Sequence, residues 1–255
     1  MIGLFDSGSG GLSVLRAIRK RIPEIDILYF GDIKNAPYGE KSQEVLSELT
    51  VHAIEFLRAR SARHIVSACN SVSASLAVSL FDALDISSDQ FIEMVGPTVN
   101  YFRAYGAGER VLLCATPATI SSGIYQNGFR MIGKELTAVA IPELAGAIEF
   151  GAAKKELERI ITHAFAAVSL ASFDMLILGC THYPLIASVF KQVLGNRIHF
   201  FNPAEAVAAR VERHFYSHVV GTGKLNFVIT KDSPVFRERV AKLFPKSALT
   251  IEVLQ

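Results

Sequence analysis

Leu176-Ile177-Leu178-Gly179-Cys180-Thr181-His182 and Ile65-Val66-Ser67-Ala68-Cys69-Asn70-Ser71 are the two stretches that decide how this chain is organised. Each is a short apolar run, then a cysteine, then small polar residues, then a helix-like segment, 185–194 in one case and 72–84 in the other. An apolar run that does not alternate with polar residues reads as a strand covered on both faces, and so as part of a parallel sheet. About the same offset that separates the two cysteines carries the first strand and Asp6 onto Val111-Leu112-Leu113-Cys114-Ala115-Thr116, another strand ending in a polar loop. Two signals at one offset predict two similar lobes.

The alternation continues along the chain. Strands are predicted at 2–5, 27–30, 65–68, 93–96, 111–115, 138–141, 175–178 and 226–230. Helices are predicted over 42–60, with Val45, Leu49, Phe56 and Leu57 at roughly helical spacing, and over 157–170, with Ile160, Ile161 and Ala164. Strands alternating with helices predict an α/β fold: two similar lobes, each a mostly parallel sheet flanked by helices, with the active site in the cleft between them. Ligands of such sheets bind beyond the carboxyl ends of the strands, where both cysteine loops fall. The first lobe is expected from 1–96 plus 209–255 and the second from 97–208, with a boundary near Gly96-Pro97.

Bulk composition narrows the class. The chain has 255 residues, 50% hydrophobic and 20% charged, with a formal charge of +2, which suits a soluble protein with a substantial core. That balance argues against nucleic acid or an anionic membrane as the main partner. The basic group Arg16, Arg19, Lys20, Arg21 has helical spacing and reads as a solvated helix face. There is no charged-then-apolar leader and no apolar run long enough to span a bilayer, so a cytoplasmic location is expected. Three cysteines are too few for a disulfide framework, so they are read as free thiols.

Cys114 sits inside an apolar strand and reads as a small core residue. Cys69 and Cys180 stand at strand ends beside Asn70-Ser71 and Thr181-His182, poor choices for a dry core. Each precedes a helix-like segment, whose N-terminus would favour a thiolate and lower the thiol pKa. A matched pair of thiols suits inversion of a stereocentre: one takes a proton from one face while the other supplies a proton from behind.

Asp6-Ser7-Gly8-Ser9-Gly10-Gly11 is a glycine turn without the spacing of a dinucleotide fingerprint or the GK[ST] of a P-loop. It would still suit a substrate carboxylate at a helix start. Asp6 reads equally as a structural cap or as the partner of a substrate ammonium. Pro37-Tyr38-Gly39 reads as a turn, Thr116 and Thr119 as helix caps or hydroxyl donors, and His182 as an exposed loop residue or a polariser of the nearby thiol. Glu149 is uninformative by itself.

In order, Phe5-Asp6-Ser7-Gly8-Ser9-Gly10-Gly11, Gly31-Asp32 with Pro37-Tyr38-Gly39, Ala68-Cys69-Asn70-Ser71, Ala115-Thr116-Pro117-Ala118-Thr119, Gly179-Cys180-Thr181-His182-Tyr183-Pro184-Leu185 and Pro203-Ala204-Glu205-Ala206 resemble the bacterial glutamate racemases of the aspartate/glutamate racemase superfamily. The resemblance covers nearly the whole chain. It implies two facing α/β lobes, a homodimer, and cofactor-independent interconversion of L- and D-glutamate for peptidoglycan synthesis, with no metal. By matched position it implies Cys69 and Cys180 as the catalytic pair. It implies Asp6, Ser7, Tyr38, Gly39, Asn70, Ser71, Thr181 and His182 as substrate-holding residues, with Thr116, Thr119 and Glu149 close by.

The chain departs from the family pattern at Ser71 in place of threonine, Asn35 in place of arginine, Gly146 in place of proline, Asn202 in place of aspartate and Lys231 in place of glycine. These departures bear on substrate preference and turnover. Other readings of the same residues are a racemase for aspartate or another amino acid, a relative that binds an amino acid without turning it over, and a cysteine hydrolase or zinc site. The last is disfavoured by the absence of CxxC and of a placeable third orienting group.

Overall fold

The apolar runs line up as parallel strands in a computed structural model that describes residues 1–75, 86–87, 89–105, 108–216, 221–245 and 247–254. One sheet has the order β10-β9-β2-β1-β3-β4: Leu249–Val253, Leu225–Ile229, Ile27–Gly31, Ile2–Asp6, His64–Ser67 and Phe91–Ile92. The other has the order β6-β5-β7-β8: Leu136–Ala140, Val111–Ala115, Met175–Gly179 and His199–Phe201. Every strand pairing among the described residues is parallel. The order β2-β1-β3-β4 recurs as β6-β5-β7-β8, so the offset seen in sequence is a duplicated strand order. β1 and β5 are buried along their whole length. Leu4 and Phe5 enter cores on opposite faces of the first sheet, as Leu113 and Cys114 do in the second.

The helices follow in chain order. α1 (Leu12–Arg21) buries Leu12, Val14, Leu15, Ala17 and Ile18, exposes Arg16, Lys20 and Arg21, and ends in three basic residues that suit its dipole. α2 (Gln43–Ala59) is capped by Ser42, whose Oγ accepts from Val45 N. Its buried face is Leu46, Thr50, Ala53, Ile54 and Leu57. The stripe predicted from Val45, Leu49 and Phe56 is thus rotated by about one residue, and Val45 is exposed. Thr50 can join this face because its hydroxyl donates to Leu46 O at 2.6 Å, so it sits in the core without an open hydrogen bond. α3 (Asn70–Ser75) is the described start of the segment expected at 72–84; residues 76–84 lie outside the described set.

The strand expected at 93–96 is not there. The chain pairs only at Phe91–Ile92, and α4 (Val95–Tyr105) starts at once because the Glu93 carboxylate accepts from Val95 N and Gly96 N. In the second lobe α5 (Pro117–Ser121), α6 (Ile124–Met131), α7 (Leu144–Glu149), α8 (Lys154–Phe165) and α9 (Ala187–Leu194) surround the smaller sheet. α8 starts before the predicted 157–170 span and stops inside it at Phe165, and Leu170 opens a separate short turn. α10 (Pro203–Phe215) leads back to the first sheet, packs against α1 and α4, and places Ala204, Val207, Ala208, Val211 and Phe215 in the core beneath it. α11 (Pro234–Leu243) lies between β9 and β10. Among the described residues no helix is long and apolar enough to cross a membrane.

Candidate active site

The carboxyl ends of β1, β3, β5 and β7 meet at one small cavity. Ser7 comes from the first strand end, Cys69, Asn70 and Ser71 from the third, Thr116 from the fifth, and Cys180, Thr181 and His182 from the seventh. The turn after β2 adds Tyr38 and Gly39. The two cysteines, one from each lobe, therefore line the same space. The cavity holds only ≈ 10 Å³, about one water, so the lobes are closed on one another. A Cβ on Gly39 would lie 2.5 Å from Thr116, and one on Gly10 would lie 2.5 Å from His182 Nδ1, so glycine is what lets the lobes approach this closely. A roomier groove of ≈ 670 Å³, lined by Arg16, Lys20, Gly151, Arg239 and Lys242 among others, holds no thiol.

Asp6, Thr119 and Glu149 stand behind the lining and hold it. Asp6 accepts from Gly8 N at 2.9 Å and from Thr181 Oγ1 at 3.0 Å, tying the first-lobe loop to the second lobe. Burial raises its pKa, against the nearby His182 charge. Thr116 caps α5, meets Thr119 Oγ1 at 3.1 Å, and meets Ser71 Oγ across the cleft at 3.0 Å. The hydroxyl of Ser71, where the resemblance leads one to expect threonine, is thus used. Tyr38 donates to Asp32 at 2.6 Å, and Asp32 also accepts from Asn35 and from Thr230. Asn70 Oδ1 accepts from Tyr125 OH at 2.7 Å, which leaves its Nδ2 buried with no hydrogen-bond partner among the described residues.

The two thiols have different surroundings. Cys180 Sγ is 3.7 Å from His182 Nδ1, and His182 Nε2 is 2.7 Å from Glu149 Oε2. His182 and Glu149 are almost wholly buried, at 3% and 2% exposure, so water screens their charges little. Burial alone would strip the proton from His182; Cys180 and Glu149 outweigh it and push its pKa up to about 10. Burial likewise opposes charge on Glu149, but the bonds from His182 and Ser9 hold its carboxyl down at about 2. Among the described residues Cys69 has no such histidine partner. Burial first, then the Asp6 charge, push its thiol up to about 12, although the N–H groups of Val72 and Ser71 act the other way. The lowering expected from a helix N-terminus is present at Cys69 and is overruled by burial in the closed cleft. Cys114 is buried in β5, donates to Ile177 O at 3.5 Å, and lies outside the cavity lining, as expected of a core residue.

Sequence reasoning passed over Asp32, Tyr125, Ser9 and Arg239. Asp32 lay within a quoted motif but without a role. Ser9 donates to Glu149 through both Oγ and N, and Arg239 donates in turn to Ser9 Oγ. The contacts of Tyr125 and Arg239 leave no local pattern, because their partners lie far off in the chain. Among the described residues no group of three or more His, Cys, Asp or Glu side chains is arranged to hold a metal ion.

The chain is similar to known proteins over nearly its whole length. The family model described as Asp/Glu/Hydantoin racemase matches residues 9–211. The chain is 32% identical to a glutamate racemase of Lactobacillus helveticus over 98% of its own length and 95% of the relative's. It is also 32% identical to a glutamate racemase of Ruegeria over 98% of each. The crystal structure of a Bacillus anthracis glutamate racemase isoform superposes with a TM-score of 0.85 at 25% identity, covering 100% of this chain and 97% of that one. Fold, strand order and likeness over nearly the full length lead to one assignment: the chain belongs to the Asp/Glu/Hydantoin racemase family and is, like its glutamate racemase relatives, an isomerase.

Proposed function

We propose that the chain interconverts L- and D-glutamate without a cofactor, through Cys69 and Cys180, and so supplies D-glutamate for peptidoglycan. The observation that carries this reading is that one thiol from each lobe lines a single closed cavity. One sulfur, as thiolate, takes the α-proton as the Cα–H bond breaks; the other gives its thiol proton to the opposite face of the carbanion. Run backwards, the roles exchange. The environments suit a resting state in which Cys69 carries its proton, its thiol being pushed up to about 12, while a protonated His182 stands beside Cys180.

The α-proton of an amino acid is weakly acidic, so fixed donors must meet the charge that develops. Asn70 Nδ2 is buried and unpaired among the described residues, which an incoming carboxylate oxygen would remedy. Ser7, Ser71, Thr116 and Thr181 supply hydroxyls, and Tyr38 and Gly39 shape the wall. Asp6 stands behind Thr181 as the candidate partner of the ammonium. The closed cavity is too small for glutamate, so the lobes must part for substrate to enter. The resemblance extends the proposal to a cytoplasmic homodimer, which sedimentation of the purified protein tests.

Cys69→Ser and Cys180→Ser, made separately, are each expected to lose D-glutamate formation by about 10²-fold or more. Full turnover by either variant refutes the two-thiol scheme. A panel of L-amino acids followed by circular dichroism tests the substrate; faster turnover of aspartate than of glutamate would overturn that part.

A further inference from the structure

Ser9 and Arg239 make a hydrogen-bonded wall behind Glu149 that the proton-transfer scheme leaves unused. Arg239, on α11 of the first lobe, donates to Ser9 Oγ and to the main-chain oxygen of Ile148 on α7 of the second lobe. Its guanidinium also stands 3.8 Å from Glu149 Oε2. Ser9 donates to the same carboxylate oxygen through Oγ at 2.5 Å and through its backbone N at 2.9 Å. The chemistry of these groups fixes which way each bond runs. A guanidinium only donates, and a serine hydroxyl has one proton. Arg239 can only donate to Ser9 Oγ and the Glu149 carboxylate can only accept from it, so the Ser9 proton is directed to Glu149. Glu149, ionised, can only accept, so the bond to His182 Nε2 must be donated by the ring. The ring is thereby oriented with Nδ1 towards Cys180.

We propose that Arg239, acting through Ser9, is a positioning residue for the Cys180 half of the reaction. It sets the polarity of the row Arg239→Ser9→Glu149←His182 and ties the loop after β1 to the opposite lobe. This rests on the reading that Cys180 exchanges a proton with the substrate. Arg239 lies outside the 9–211 span matched by the family model. Lysine could donate at this place but could not make the forked contact to Ser9 and Ile148.

The test uses the full chain with Arg239→Met, Arg239→Lys, Ser9→Ala and the double variant Ser9→Ala with Arg239→Met. Arg239→Met is expected to lower kcat about tenfold or more for both enantiomers with little change in KM, and Arg239→Lys to recover part of that loss. The double variant is expected to be no slower than the slower single one, because both changes break the same row. A second readout does not depend on turnover. The His182 Nε2–H proton resonance, assigned by its absence in His182→Gln, should be observable in the unaltered protein and broadened by solvent exchange in Arg239→Met. Wild-type kcat in Arg239→Met, independently multiplying losses in the double variant, or an unchanged His182 resonance would each overturn the proposal. If Cys180→Ser keeps full racemisation, the two-thiol reading fails instead, and the resonance still decides whether Arg239 holds His182.

Discussion

Replacing Glu149 by glutamine tests the electrostatics of the cleft most sharply, because it removes a charge and almost no volume. In the unaltered protein the Glu149 carboxylate accepts from His182 Nε2 at 2.7 Å, and His182 is pushed up to about 10. Relative to an ordinary histidine near 6.5 this corresponds to roughly 5 kcal/mol favouring the protonated ring, shared between Cys180 and Glu149. Breaking a buried pair by removing one partner costs about 3–5 kcal/mol, because the remaining charge has no compensation. The ring escapes that cost by losing its proton, so its midpoint should fall from about 10 by roughly 2 units or more. Loss of about 3 kcal/mol of support for the charged pair predicts a fall in kcat of about 10²-fold. L- and D-glutamate have equal free energies, so kcat/KM must fall equally in the two directions; any asymmetry appears in kcat and KM separately. The assay is proton NMR titration of the His182 ring together with initial rates for both enantiomers. A midpoint unchanged from that of the unaltered protein, or a kcat still close to its value, would refute the reasoning.

The His182 pKa is raised, so its contribution to stability is complete below about 6.5 and is lost as pH rises through about 10. The Glu149 pKa is lowered, so its contribution is present above 4.5 and is lost as pH falls towards about 2. Melting temperature against pH should therefore decline on both sides, with the alkaline decline flattened in His182→Gln; an unaltered alkaline limb contradicts this. Gly10→Ala puts a Cβ 2.5 Å from His182 Nδ1 and should cost about 1–3 kcal/mol, read as a lowered Tm together with reduced turnover; an unchanged Tm would show that the lobes are not held this close. Tyr125→Phe leaves Asn70 Oδ1 without its donor, a buried acceptor worth about 1–3 kcal/mol, and should raise KM for glutamate about tenfold; unchanged KM would remove Asn70 from the binding site.

What the sequence revealed and what it concealed have physical causes. β1, β5 and β7 are buried on both faces, and a strand in that position must be apolar throughout, so it stands out in a single chain. β10 is an edge strand, Leu249–Val253, with alternating partial exposure, and β8 is only three residues long; neither has that signature and neither was predicted. The strand expected at 93–96 failed because Glu93 acts through its side chain as a cap, which an apolarity reading cannot see. At the site, Cys180 and His182 are two residues apart and were legible together. Glu149 and His182 are 33 residues apart, and Ser9 and Arg239 are 230 apart. Each pair is brought together within one lobe by the return of the chain, Glu149 from α7 to the end of β7 and Arg239 from α11 to the loop after β1, so Glu149 carried no signal until the fold supplied its partner. The Cys69 thiol departs from the expected lowering because the helix start is local, whereas the burial that outweighs it comes from residues far along the chain, such as Phe5, Leu28 and Leu46.

The most direct test of the central claim is α-deuterium incorporation during early turnover of each glutamate enantiomer in heavy water. With two thiols on opposite faces, newly formed product carries solvent deuterium while the remaining substrate keeps its protium. Product that retains substantial protium would mean that a single group removes and returns the same hydrogen, and would contradict the account.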